Sequence, residues 1–101
     1  MKGNWIASGV LCGPTILRVT GIETNGAVRG TLECTKQGFV ITLSDAAEYR
    51  KTMKARLSGK KLDLEGANSS GYELALEGDK LTGYALGGPG NRNPIIFTRQ
   101  Q

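Results

Sequence analysis

Along most of this chain apolar residues recur at every second position, in short segments separated by Gly, Asn, Asp and Ser. A period of two puts successive side chains on opposite faces of a strand, so each segment reads as a β-strand with one face on a core. Trp5 to Leu11 is the first. In Thr15 to Ile22, Leu17 and Val19 share one face, while Arg18 and Thr20 share the other. Val28, Gly30, Leu32 and Cys34 alternate with Arg29, Thr31 and Glu33, and Phe39, Ile41 and Leu43 follow with the same period. Leu62 and Leu64 alternate with Lys61, Asp63 and Glu65, then Tyr72, Leu74 and Leu76 with Glu73 and Glu77. Lys80 to Leu86 and Pro94 to Arg99 complete the series. The Asn25-Gly26 pair is a hairpin signal, since both residues accept positive φ. Tight turns follow at Ser58-Gly59-Lys60 and Glu77-Gly78-Asp79-Lys80. Even spacing and short turns predict an all-β fold, an antiparallel up-and-down β-barrel of eight or nine strands, with residues 1–101 forming a single domain.

One segment has two readings. Asp45 as N-cap with Glu48 three positions on is a capping box, and Ala46, Tyr49, Met53 and Leu57 would then share a helical face. Alternatively a short helix near 45–51 leads into a strand, with Met53, Ala55 and Leu57 inward and Thr52, Lys54 and Arg56 outward. The alternation favours the strand, which would form a hairpin with Lys61 to Glu65.

The two ends of the chain carry a further pattern. Gly3-Asn4-Trp5 opens the first strand and Phe97-Thr98-Arg99 closes the last. This resembles the calycin superfamily of lipocalins, fatty-acid-binding proteins and avidins. The resemblance implies that Trp5 plugs the closed end of a barrel and that Arg99 lies over it as a structural cap. The indole face and a guanidinium are physically suited to that contact, which is worth ~0.5–2 kcal/mol. It also sets a parity condition. If every neighbouring pair is antiparallel, Trp5 and Arg99 meet only when the strand count is even. Reading 45–57 as a helix gives eight strands and meets the condition, while a strand at 52–58 gives nine and breaks it. In an all-antiparallel nine-strand barrel the connections 22–26, 45–51, 66–71 and 87–93 would gather at one end as the mouth of a pocket.

Composition narrows the chemistry more than the fold. The 15 glycines suit many tight turns. There is no histidine, which removes the commonest general base and zinc ligand, and the two cysteines, Cys12 and Cys34, form no Cys-x-x-Cys pair. No metal, no cofactor and no catalytic residue are therefore expected. Strands flanking a third lie ~9.5 Å apart, too far for a direct disulfide, so thiols are favoured unless a bridge forms in the loops. Gly87-Gly88-Pro89-Gly90 lacks the Gly-Lys-Ser/Thr ending of a phosphate-binding loop and reads as a flexible connection. Asn68-Ser69-Ser70 matches a glycosylation sequon but reads equally as plain loop chemistry.

The net charge of +4 is mild. Its densest part, from Arg50 to Lys61, has only Tyr49 nearby for base stacking. A solvated face partly neutralised by Asp63 and Glu65 is preferred over a nucleic-acid surface. No apolar run approaches the ~20 residues of a membrane span. The start at Met1 shows no signal-peptide segment, which implies a cytoplasmic protein if the chain is complete and a periplasmic or secreted one if a leader has been removed.

Three functional readings follow. The first is a non-enzymatic binding module holding a small apolar or amphipathic ligand in or at the mouth of the barrel, with Phe39, Tyr72 and Tyr84 as ligand-binding residues. Gly30, Ala55 and Gly83 would leave it room, although an eight-stranded barrel is only just wide enough for its own side chains. The second is a protein-binding module such as a periplasmic inhibitor. Leu11-Cys12-Gly13 and Ala67-Asn68-Ser69-Ser70-Gly71-Tyr72 are similar to small bacterial lysozyme inhibitors, but a positive protein would be repelled by a basic lysozyme. The third is a cofactor-free isomerase or cyclase using Tyr72, Tyr84 and Arg99 as its polar groups.

Overall fold

The computed structural model describes residues 1–9, 13–44, 51–66, 70–87 and 90–100. They form nine strands: β1 (Gly3–Gly9), β2 (Gly13–Ile22), β3 (Val28–Cys34), β4 (Phe39–Ser44), β5 (Thr52–Ser58), β6 (Lys61–Glu65), β7 (Ser70–Glu77), β8 (Lys80–Gly87) and β9 (Arg92–Gln100). Each strand pairs with its neighbours in sequence, and β1 pairs with β9, so the sheet is a closed barrel without a free edge strand. Among the described residues there is no helix long and apolar enough to cross a membrane.

The segment with two readings is a strand. Met53 and Ala55 are buried while Lys54 and Arg56 are exposed, as the alternation requires. Lys54 stands opposite Glu65 and Arg56 opposite Asp63, so the basic stretch is interleaved with carboxylates on the outer wall. The short helix near 45–51 falls on residues 45–50, outside the described residues, with Lys51 in a turn.

One pairing departs from the all-antiparallel expectation. β4 and β5 run parallel, through Thr42 with Thr52, Leu43 with Met53 and Ser44 with Lys54. β5 enters halfway down β4 and runs on past its end. There it replaces β4 beside the β2–β3 hairpin: Ala27 bridges to Arg56, and the Leu57 N–H donates to the Gly26 carbonyl at 2.8 Å. One parallel pair changes the parity, so nine strands bring β1 and β9 together antiparallel with Trp5 opposite Arg99. The strand reading and the end-to-end contact are therefore both met. The connections sort differently as a result. Those after β1, β3, β6 and β8 lie at one end of the barrel, and the 22–28 hairpin lies at the other with Trp5 and Arg99.

The interior is packed toward the Trp5 end. Trp5, Leu17, Val28, Leu62, Leu74, Leu81 and Phe97 are fully buried there, each worth about 1.5–3 kcal/mol or more against exposure. Gly30 and Gly83, read above as making room, do the reverse. Gly30 has φ +153° and sits opposite Val19, just before the register shift between Val19 and Gly21. A Cβ on Gly30 would collide with the Arg18 carbonyl oxygen, and one on Gly83 with that of Glu73. The space beside these glycines is taken by neighbouring backbone.

Gly30→Ala should therefore lower stability in urea unfolding by roughly 2–3 kcal/mol, through both strain and collision. Gly21→Ala, whose Cβ would meet nothing within 4 Å, should stay within about 0.5 kcal/mol of the parent. Equal losses in the two variants would refute the close-approach explanation.

Candidate functional site

The two ends of the barrel are built oppositely. At the closed end Trp5 is fully buried, and its Nε1–H donates to the Met1 carbonyl at 3.1 Å. The Arg99 guanidinium lies 5.6 Å from the centre of the indole ring and donates from Nη2 to the Lys2 carbonyl at 2.7 Å. The Arg99 backbone N–H donates to the Asp79 carbonyl at 2.8 Å, which ties the β7–β8 turn to the same seam. Arg99 faces solvent on its far side, so it closes the end and does not reach the interior.

At the other end the strands enclose a cavity of about 550 Å³ that opens to solvent. Its walls come from every strand but β6, and they are small on β7 and β8, where Gly71, Ala85 and Gly87 stand. Leu32, Ile41, Met53 and Ile95 supply the apolar surface, and every lining side chain among the described residues is uncharged. The wall at Gly71 depends on a backbone only glycine tolerates, with φ +140° and a Cβ position that would collide with the Leu64 carbonyl.

The predicted residues are divided by this geometry. Tyr72 lines the cavity in phase with Leu74, and its ring meets the Phe97 ring edge-on at 5.7 Å and 76°. Phe39 stands at the rim, 40% exposed. Tyr84 does not join them. On β8 it is Leu81, Gly83 and Ala85 that follow the inward phase, and Tyr84 lies on the outer wall with the Arg92 guanidinium 4.6 Å from its ring. Arg92 in turn pairs with Glu73 at 3.3 Å.

Thr15 lines the cavity and is only 2% exposed, yet it was not among the expected site residues. Its phase with Leu17 and Val19 was the available signal. Cys34 also lines the cavity, and it is disulfide-bonded, against the thiol reading. Cys34 is the last residue of β3, where the spacing between strands within a flat sheet no longer fixes the distance. Cys12, the other cysteine, lies outside the described residues, as do Asn68 and Ser69 of the sequon.

The chemistry available is that of hydroxyl groups on apolar walls. Burial pushes the Tyr72 phenol above its ordinary value of 10.0, so it remains an O–H donor through neutral pH. Neither the Tyr72 nor the Thr15 hydroxyl bonds another described residue, and neither is sealed away unsatisfied, so both are open to the cavity they line. No cluster of three metal-ligating side chains converges among the described residues.

No family model, no curated protein and no solved structure matches this chain.

The Tyr72 shift has a defined sign. The folded state holds this proton more tightly than the unfolded chain, so its contribution to stability is intact below about pH 10 and is lost as pH rises through the folded value. Absorbance titration of the phenolate should show a step displaced upward from 10.0 that disappears in Tyr72→Phe. The variant should also lose less stability than the parent across that alkaline window. Loss of a step at the ordinary value of 10.0, in place of a displaced one, would show that Tyr72 is not desolvated.

Proposed function

We propose that this protein is a binding module that holds a small apolar or amphipathic molecule in the open half of its barrel. The observation that carries this reading is the cavity of about 550 Å³. It lies within the roughly 300–1,000 Å³ usual for small-molecule sites, with mostly apolar walls and a few hydroxyl groups to orient an occupant. A barrel of this size can fill itself with side chains. Here the buried Trp5 and Phe97 are committed to the closed end, and the small Gly71, Ala85 and Gly87 stand on the cavity wall.

The meeting of Trp5 with Arg99 supports the resemblance to calycins, and ligand storage inside a barrel is what that resemblance implies. The parallel β4–β5 pair is a departure from their up-and-down order, so the kinship is proposed at the level of the closed end and the strand rhythm. Catalysis is a weaker reading. Tyr84 is on the outer wall and Arg99 beyond the plug, which leaves Tyr72 alone of the three polar groups an isomerase or cyclase would use. The bonded Cys34 fits an oxidising compartment such as the periplasm or the cell exterior.

Native mass spectrometry of protein purified gently from its own host should show bound extra mass that is released on denaturation. Ala85→Phe, which puts a ring into the cavity, should cut the retained ligand at least about tenfold while the far-UV circular dichroism stays that of the parent. A clean unliganded mass, combined with no uptake of apolar dyes, would overturn the proposal.

A further inference from the structure

We infer, resting on the ligand-holding role above, that the cavity selects neutral molecules bearing a hydrogen-bond acceptor, which the Tyr72 hydroxyl engages, over carboxylates of the same size. The Tyr72 ring is held by three neighbours. Leu64 and Ala85 stand opposite it on β6 and β8, and Phe97 meets it edge-on at 5.7 Å. A phenol oxygen lies at the tip of its ring, so fixing the ring fixes the place from which the hydroxyl donates.

That hydroxyl lacks a partner among the described residues although the side chain is largely withdrawn from water. A donor in this state gains most from an acceptor brought in by a ligand, because the competing hydrogen bonds to bulk water are already reduced. Thr15 brings a second hydroxyl to the same cavity. It sits on β2, across the barrel from β7, so the two hydroxyl groups address a ligand from opposite walls.

The same walls are unfavourable to an anion. A carboxylate entering them loses hydration, and the side chains it meets among the described residues are uncharged. A ketone, ether or alcohol gives up little hydration and gains the Tyr72 bond. The phenol stays protonated at neutral pH, since burial raises its pKa, and so it serves as donor throughout. The inferred ligand class is therefore an apolar framework with an uncharged oxygen at its buried end.

Three fluorescent probes test this with the whole protein at neutral pH: a dimethylamino-naphthyl ethyl ketone, the matching dimethylamino-naphthoic acid as its carboxylate, and the hydrocarbon diphenylhexatriene. The ketone should bind at least about tenfold more tightly than the acid. Tyr72→Phe, which keeps the ring against Phe97, should weaken the ketone about three- to tenfold and leave the hydrocarbon within about twofold. If the acid binds as well as the ketone, or Tyr72→Phe leaves ketone affinity unmoved while the hydrocarbon still binds, the inference fails and the ligand-holding role stands. If none of the three probes binds, both fail. The ketone-to-acid ratio is read on the unaltered protein, so the test does not depend on the variant folding.

Discussion

A parallel ladder of three register pairs, Thr42 with Thr52, Leu43 with Met53 and Ser44 with Lys54, governs how the rest of this barrel closes. Parallel pairs are slightly weaker per residue than antiparallel ones, and this one is also short. It is supported from the side by the Ala27–Arg56 bridge and by the Leu57 N–H on the Gly26 carbonyl. Without it, nine strands would bring the first and last together running the same way, with Trp5 at one end of the barrel and Arg99 at the other. With it, the plug and its cap meet.

The division of the interior follows from that meeting. Once Trp5 and Phe97 are committed to one end, a chain with 6% aromatic residues has few large side chains for the other. Gly71, Ala85 and Gly87 leave the upper layer unfilled, and Tyr72 reaches into it from the boundary. A tightly packed interior would be more stable, since each missing contact forfeits dispersion energy. The open half gives up that energy and leaves in its place a hollow whose walls, among the described residues, are uncharged and carry the Tyr72 and Thr15 hydroxyl groups.

Much of this was legible in local alternation, and the limits of that signal explain what was not. Period two placed Met53, Ala55 and Leu57 on one face correctly because it depends only on the strand itself. It carries no direction, however, so nothing in 52–58 distinguishes a parallel neighbour from an antiparallel one. The all-antiparallel rule then put the 22–26 connection at the open end with those after β6 and β8, whereas it lies at the Trp5 end. Tyr84 shows a second limit. The inward row of β8 contains Gly83 and Ala85, which are too small to mark their own phase, and the aromatic between them looked more like a core residue than they did. Thr15 was hidden for the opposite reason, a polar residue in an apolar row. The cavity could not be seen because it depends on which layers hold small residues together, a property of register across eight strands.

The contact between chain ends also bears on the order of events in folding. Every other ladder joins strands consecutive in sequence and needs only a short loop to close. The β1–β9 seam joins partners as far apart as Arg99 and Lys2, which are separated by 97 positions. By the logarithmic law its closure entropy in an open chain is roughly 4 kcal/mol plus a constant. Successive hairpins shorten that distance before the seam forms, so circularisation becomes affordable only late. Trp5, the chain's single tryptophan, lies on the seam itself. Its fluorescence consequently reports the last step, the joining of the two ends, more directly than it reports the growth of the sheet.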